Sequence, residues 1–270
     1  MSSTDVAIQM MRLGAESMRD HMLGDPVLTP RNGFTVVRRG GLWCFASTKF
    51  DLEVFNHVSG YGTFVEPTQR AIDAVMKHYD RVGRPVAIEI LTPFVSRSDR
   101  ALLERNGFRD TRVLFQCHVR VNARPPRTRE VRGLVIEHVR PSDGPRYGRL
   151  ATRGFGHRDR VSLVFERGWI RQLRRDRRTN SFIGVVNGRD AATGTIVLRP
   201  KIAGLYSGSV LPGFRGRGVQ NAMIAARLAY GWSRGVRAFY SWSDPESSSA
   251  RNLRDEGFVT AYEVHMYTRG

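Results

Sequence analysis

The sequence predicts an α/β protein of two tandem units, and three observations predict it: an internal repeat, an alternation of strand-like and helix-like segments, and a polar break between the halves. Sliding one half along the other exposes the repeat. Gly83 precedes an apolar segment, 86–91, that ends at Pro93, and Gly235 precedes a second, 236–242, that ends at Pro245. A helical stretch follows each proline and stops at a Gly-Phe pair, Gly107-Phe108 in one half and Gly257-Phe258 in the other. Glycine just past a last helical turn supplies the left-handed residue that ends many helices. An amphipathic helix precedes each glycine, over 68–82 and 219–233.

The elements follow in order. Residues 117–121 read as a strand before the break, and 134–139 as a strand after it. Between them Pro125-Pro126 among polar residues favours an extended linker, so the expected organisation is 1–122, a linker over 123–133, and 134–270. Ser142-Asp143 can cap a helix running toward Thr152, and 159–175 reads as a second helix. Strands are expected over 182–186, 194–198 and 202–211, with Asn187-Gly188 and residues 190–193 in the connection between the first two. A helix from Gly216, the strand 236–242, a short helix near 247–256 and a closing strand over 262–268 complete the second half.

Composition narrows the function classes. The chain has 270 residues, 41% of them hydrophobic and 25% charged, enough for one large domain or two of roughly 130 residues each with its own core. That balance excludes a disordered or fibrous chain, and no apolar run is long enough to cross a bilayer. Residues 1–20 carry Asp5, Glu16 and Asp20 and lack an apolar stretch with a cleavage site, so the expected location is the cytoplasm. Cys44 and Cys117 stand in no metal or redox spacing, which predicts reduced thiols. The net charge is +18, and all but Lys49, Lys77 and Lys201 of the 43 basic residues are arginines. Such a field concentrates anions of any kind. An arginine skew this strong has a second source in GC-rich codons.

The segment that carries chemistry begins at Val210-Leu211-Pro212 and continues through Arg215-Gly216-Arg217-Gly218-Val219-Gln220 into a helix. The first turn of a helix presents amide N–H groups without internal partners at the positive end of its dipole. Glycines at 216 and 218 open access to those amides, and Arg215 and Arg217 add charge, which is the make-up of a pyrophosphate cradle. An ordinary strand-to-helix connection is the plainer reading. The lysine and hydroxyl residue of a nucleoside triphosphate loop are absent, and the loop does not follow the first strand of its unit as in dinucleotide folds.

This run, with Asp244-Pro245, Ser249-Ala250-Arg251-Asn252 and Gly257-Phe258 downstream, resembles the acyl-CoA-binding core of the GNAT superfamily of N-acetyltransferases. The family pattern is Arg/Gln-x-x-Gly-x-Gly/Ala, and here Gln220 takes the last position. The resemblance covers 134–270, and the repeat extends it to about 35–121, so it implies two tandem GNAT-like α/β domains, each a mixed, mostly antiparallel sheet flanked by helices. It further implies acetyl-CoA or another acyl-CoA as donor and an amine of a small molecule as acceptor. Backbone groups near Val210 and Leu211 would meet the pantetheine arm, the amides of Gly216 to Gln220 the pyrophosphate, and Ser249 and Asn252 the cofactor arm. A carrier-protein thioester or an aminoacyl-tRNA as donor, and a non-catalytic CoA-binding protein, are the alternatives; the oligomeric state is open.

Shifting the halves by the glycine pair places Glu66 against Gly218 and Pro67 against Val219. A negative charge and a residue with no N–H do not suit a phosphate. The first half therefore reads as a degenerate copy that covers a sheet edge or shapes the acceptor cleft, and the second as the catalytic one. The tyrosine that many family members place four residues before the terminal glycine, as acid to the leaving thiolate, is Leu253 here. Tyr206, facing the same way as Gly204 and Gly208 on its strand, is a candidate to orient the amine or protonate sulfur, with a packed strand tyrosine the plainer reading. Asp244, after the next strand, is a candidate base, and equally a cap for the helix at Glu246. Trp232, Tyr240 and Trp242 have core-like spacing. Arg167, Arg171, Arg174, Arg175, Arg177 and Arg178 form the densest basic run, a solvated helix face or a dock for an acidic carrier protein or transfer RNA.

Overall fold

The structure, a computed structural model, describes residues 3–92, 94–121, 129–156, 160–175 and 177–269. Pro93, the diproline of the expected linker and Asp159, where the sequence places the start of a helix, lie outside the described residues.

In chain order the first half contains α1 Ser3–Leu23, α2 Leu28–Arg31, β1 Phe34–Arg39, β2 Leu42–Ser47, β3 His57–Tyr61, α3 Gln69–Val82, β4 Ala87–Leu91, α4 Arg97–Arg105 and β5 Phe108–Arg120. The second contains β6 Leu134–His138, α5 Gly144–Phe155, α6 Arg160–Arg175, β7 Thr179–Val186, β8 Arg189–Arg199, β9 Ile202–Val210, α7 Val219–Ser233, β10 Ala238–Ser243, α8 Ser248–Asp255 and β11 Val259–Arg269. Both repeated helices end as their glycines predict: Gly107 and Gly257 have φ of +84° and +82°. One connection is tighter than the sequence suggests. Asn187 and Gly188, both at positive φ, turn β7 directly into β8, so residues 190–193 are strand and not loop.

The chain divides into two compact units. The N-terminal unit comprises residues 7–117 and the chain from Tyr262 onward, with strand order β1-β2-β3-β4-β11-β5. The closing strand thus joins the first half of the sequence, where residues 264–268 pair antiparallel with 87–91 of β4. The match is one of buried surface: Val264, Met266 and Tyr267 are buried on one strand, Ile88, Ile90 and Leu91 on the other. Ile72, Val75, Tyr79, Leu103 and Phe108 build this unit's core around them. Both cysteines are free and buried, and burial pushes the Cys44 thiol up to about 12.

The C-terminal unit comprises residues 118–261 with the start of α1, and its strands run β10-β9-β8-β7-β6. Every neighbouring pair is antiparallel except β9 and β10, which are parallel. Leu205, Met223, Ile224, Leu228, Phe239, Leu253 and Phe258 pack α7 and α8 onto one face. Val139, Tyr147, Leu150 and Ile183 pack α5 onto the other, with Trp169 of α6 against them. No helix of the described residues is long and apolar enough to cross a membrane.

His118, fully buried at the end of β5, lies 2.7 Å from Ser243 Oγ and 3.2 Å from Thr260 Oγ1. Burial and the Arg254 charge lower its pKa from 6.5 to about 4. The unfolded chain therefore binds this proton first, so stability falls as pH drops from about 6.5 toward 4. The loss is about 3 kcal/mol. Urea titrations at a series of pH values should show that slope in the native protein and a flatter one in His118→Gln.

Candidate functional site

The site begins with two parallel strands that separate. Residues 202–205 of β9 pair with 238–241 of β10, and the pairing stops at Leu205 and Ser241 although β9 runs on to Val210. The same stretch is irregular toward its other neighbour. The β8–β9 register slips between the pairs Thr193–Ser209 and Thr195–Tyr206, and Ser207 sits at φ +50°. An extra residue in one strand bends it and leaves backbone groups without ladder partners. Side chains supply some of these. Thr193 Oγ1 donates to Ser207 O at 3.1 Å and lies 2.8 Å from Ser209 Oγ. Arg227 of α7 reaches Tyr206 O and Thr195 O, each at 3.3 Å.

The bulge also reverses the strand's facing. Gly204 lies under the rings of Tyr206 and Tyr240, whereas Gly208 lies against the Arg227 guanidinium. Gly208 therefore does not share the face of Tyr206, as strict alternation along the sequence suggests, and the room above Gly204 is filled by two tyrosines.

Beyond β9 the chain makes a short turn and enters α7. Gly216 and Gly218 both have φ +73°, and no side chain caps the helix at Gly218. The first helical bond runs from Ala222 N–H to Gly218 O at 3.0 Å. Helix geometry leaves the N–H groups of residues 219–221 without an acceptor inside the helix. A Cβ at Gly216 would meet nothing within 4 Å, so positive φ, not crowding, demands glycine there. Arg217 lies over the Phe214 ring at 5.9 Å. Arg215 turns away: its Nε donates to Val210 O at 3.0 Å and its terminal nitrogen to Gly154 O at 3.2 Å. With Leu211 N–H donating to Ala191 O at 2.8 Å, Val210 and Leu211 are largely engaged, and the open part of β9 lies earlier, from Tyr206. A cavity of 660 Å³ adjoins the helix start, lined by Arg132, Asn187, Arg217, Gly218, Asn221 and Asp255 among others.

Comparison with known proteins bears on this arrangement. No family model and no curated protein matches the sequence. Solved structures do match. A GCN5-related N-acetyltransferase from Kribbella flavida aligns over 96% of this chain and 95% of its own, with TM-score 0.65 and 11% identity. A tandem GNAT protein from the clavulanic acid biosynthesis pathway aligns over 98% and 94%, with TM-score 0.63 and 14% identity. A GCN5-related N-acetyltransferase from Sphaerobacter thermophilus aligns over 79% and 71%, with TM-score 0.61 and 17% identity. The chain has the tandem GNAT fold.

The two GNAT-like units differ at the corresponding corner. In the N-terminal unit the β3–β4 register also slips, between Val58 and Tyr61, but the strands pair again at Tyr61, the last residue of β3. The turn after it folds back: Phe64 N–H and Val65 N–H donate to Gly60 O, and Gly62 N–H to Val65 O. The Phe64 ring occupies the space over Gly60, where a Cβ would come within 2.3 Å of it. Helix α3 is then capped by Thr68, whose side chain accepts from Ala71 N–H at 3.2 Å. By helix start, Thr68 and not Glu66 stands where Gly218 stands in α7, two residues from the pairing that the glycine repeat suggests. At α3 the cap position is occupied by the protein's own side chain.

The remaining candidates fall into two groups. Gln220, Ser249 and Asn252 come together: Asn252 Nδ2 donates to Gln220 Oε1 at 2.9 Å, and Gln220 Nε2 lies 3.4 Å from Ser249 Oγ. The Gln220 side chain thus ties α7 to α8. Tyr206 Oη lies 2.7 Å from Tyr240 Oη, and burial raises the Tyr206 pKa well above its ordinary value, so the phenol keeps its proton. Asp244 is exposed at the end of β10, and the cap of α8 is Ser247, which accepts from Ala250 N–H at 3.1 Å. The capping alternative for Asp244 is therefore gone. No group of three or more His, Cys, Asp or Glu among the described residues is arranged to hold a metal.

Sequence reasoning missed Arg227, whose partners sit on two other elements, and the only local signal was a charge on an otherwise apolar helix face. Leu253, where the resemblance would place a tyrosine, is 2% exposed in the α7–α8 core. Leu253→Tyr should therefore overpack that core and destabilise the protein by about 1–3 kcal/mol, measurable by denaturant titration, without creating a new acid.

Proposed function

We propose that the C-terminal unit binds an acyl-CoA and transfers its acyl group, acetyl in the simplest case, to an amine of a small molecule. The observation that carries this reading is the uncapped start of α7 placed directly after a strand that has parted from its parallel neighbour. An anion is the natural partner of such a helix end, and an extended amide-bearing arm is the natural partner of an open strand edge. The pyrophosphate would rest on the amides of Gly216 to Gln220, with Arg217 adding charge. The cavity beside it, with Arg132 and Arg217 in its wall, suits the nucleotide end.

The chain's own residues then have limited tasks. Backbone donors of the open stretch of β9 polarise the thioester carbonyl, and the site holds amine and thioester in line. Tyr206 keeps its proton and so is poorly suited to be a base; as a donor to the departing thiolate it is an acid that burial weakens. Asp244, exposed at the strand's end, suits removal of a proton from an ammonium group. A CoA sensor without transfer is the second reading, favoured by the packing of Leu253 into the core. The arginines Arg174 and Arg175 complement the dipole of α6 at its last turn, a local reason that lends no support to a carrier-protein or transfer-RNA donor.

Calorimetric titration with acetyl-CoA, followed by mass spectrometry of products from pooled amines, tests the proposal. Binding with acylated product is expected; binding without product favours the sensor, and no binding refutes both. Gly218→Pro cannot adopt φ +73° and loses an N–H, so CoA binding should vanish while the N-terminal unit stays folded by circular dichroism. Undiminished affinity would refute the assignment of the loop. Tyr206→Phe should lower turnover by about 10- to 100-fold with little change in CoA affinity, read by steady-state kinetics.

A further inference from the structure

Arg227 is 3% exposed in the middle of α7. Its guanidinium donates to three carbonyls: Met223 O at 2.9 Å, Thr195 O at 3.3 Å and Tyr206 O at 3.3 Å. Burial of a cation is costly, and an apolar side chain would fill this space at lower cost. Two glycines make room for it. A Cβ at Gly194 would come within 2.8 Å of the guanidinium, and one at Gly208 within 3.3 Å. Burial lowers its pKa to about 10, so it remains a cation at neutral pH.

The position of this charge is specific. Thr195 and Tyr206 face each other across β8 and β9 at the edge of the register slip, one residue beyond the last β9–β10 pair. In a trans peptide the oxygen and the hydrogen point to opposite sides. With Tyr206 O held by Arg227, the N–H of Ser207 turns away from the guanidinium.

We infer that Arg227 is a positioning residue: it pins the Tyr206–Ser207 peptide so that the bulge persists and the Ser207 N–H is presented on the open side of β9 to the thioester carbonyl. The inference rests on the proposed acyl-CoA site, deepening it by naming what keeps the strand open. Arg227 touches no reacting atom; it acts through the peptide it holds.

The test uses the full-length protein with Arg227→Met and Arg227→Lys. Infrared spectra of acetyl-CoA labelled with carbon-13 at the thioester carbonyl should show a downshifted stretch on the native protein. That shift should be lost in Arg227→Met and partly regained in Arg227→Lys, while calorimetry gives dissociation constants for free CoA within about threefold of the native value. A purely structural role would weaken CoA binding and leave the stretch of whatever remains bound unaltered. An unchanged downshift in Arg227→Met overturns the inference. If Arg227→Met does not fold, Gly208→Ala, which crowds the guanidinium, should reduce the downshift, and an unchanged one has the same consequence. If the native protein binds no CoA, the acyl-CoA reading fails and takes the thioester role with it. A crystal structure of unliganded Arg227→Met then still decides the pin: β9 paired with β10 beyond Leu205 supports it, and an intact bulge refutes it.

Discussion

Backbone polar groups must find partners, and the structure is organised around one place where the sheet withholds them. After Leu205 and Ser241, β9 and β10 no longer pair. Buried N–H and C=O groups left alone are costly, so the open stretch needs substitutes. The protein provides Thr193 for Ser207 O and Arg227 for Tyr206 O, and it spends two glycines, Gly194 and Gly208, on admitting a guanidinium. In the proposed function, what those side chains do not satisfy is left for a ligand with its own amides.

The next corner extends the same logic to a helix. At α7 the N-cap is a glycine in a left-handed conformation with no side chain to offer, and the turn before it is exposed. At α3 the N-cap is a threonine that bonds its own helix, and the preceding turn is folded onto Gly60. One topology thus appears twice with opposite provisions. The N-terminal copy is closed by Phe64, Val65 and Thr68, and the C-terminal copy has no side-chain cap at its helix start.

What was legible in the sequence is what local geometry decides. Gly107 and Gly257 announced two helix ends, and the run from Arg215 to Gln220 announced an exposed helix start, because each depends on a few adjacent residues. The pairing of β11 with β4 was not legible, since the two strands lie far apart in sequence and are matched only through the packed core of the N-terminal unit. The bulge was hidden for a related reason: Ser207 carries no turn signature, and alternation placed Gly208 on the wrong face. The direction of Arg215, toward Val210 and Gly154 and not toward an anion, likewise follows from tertiary neighbours alone.

The central claim is that the amides opening α7, and not those opening α3, receive a diphosphate. Amide hydrogen exchange over both junctions, measured with and without CoA, addresses it directly. Slowed exchange confined to residues 216–221, with residues 66–72 unaffected, is the predicted result. Protection at the start of α3, or none at the start of α7 under conditions where CoA is bound, would contradict the account.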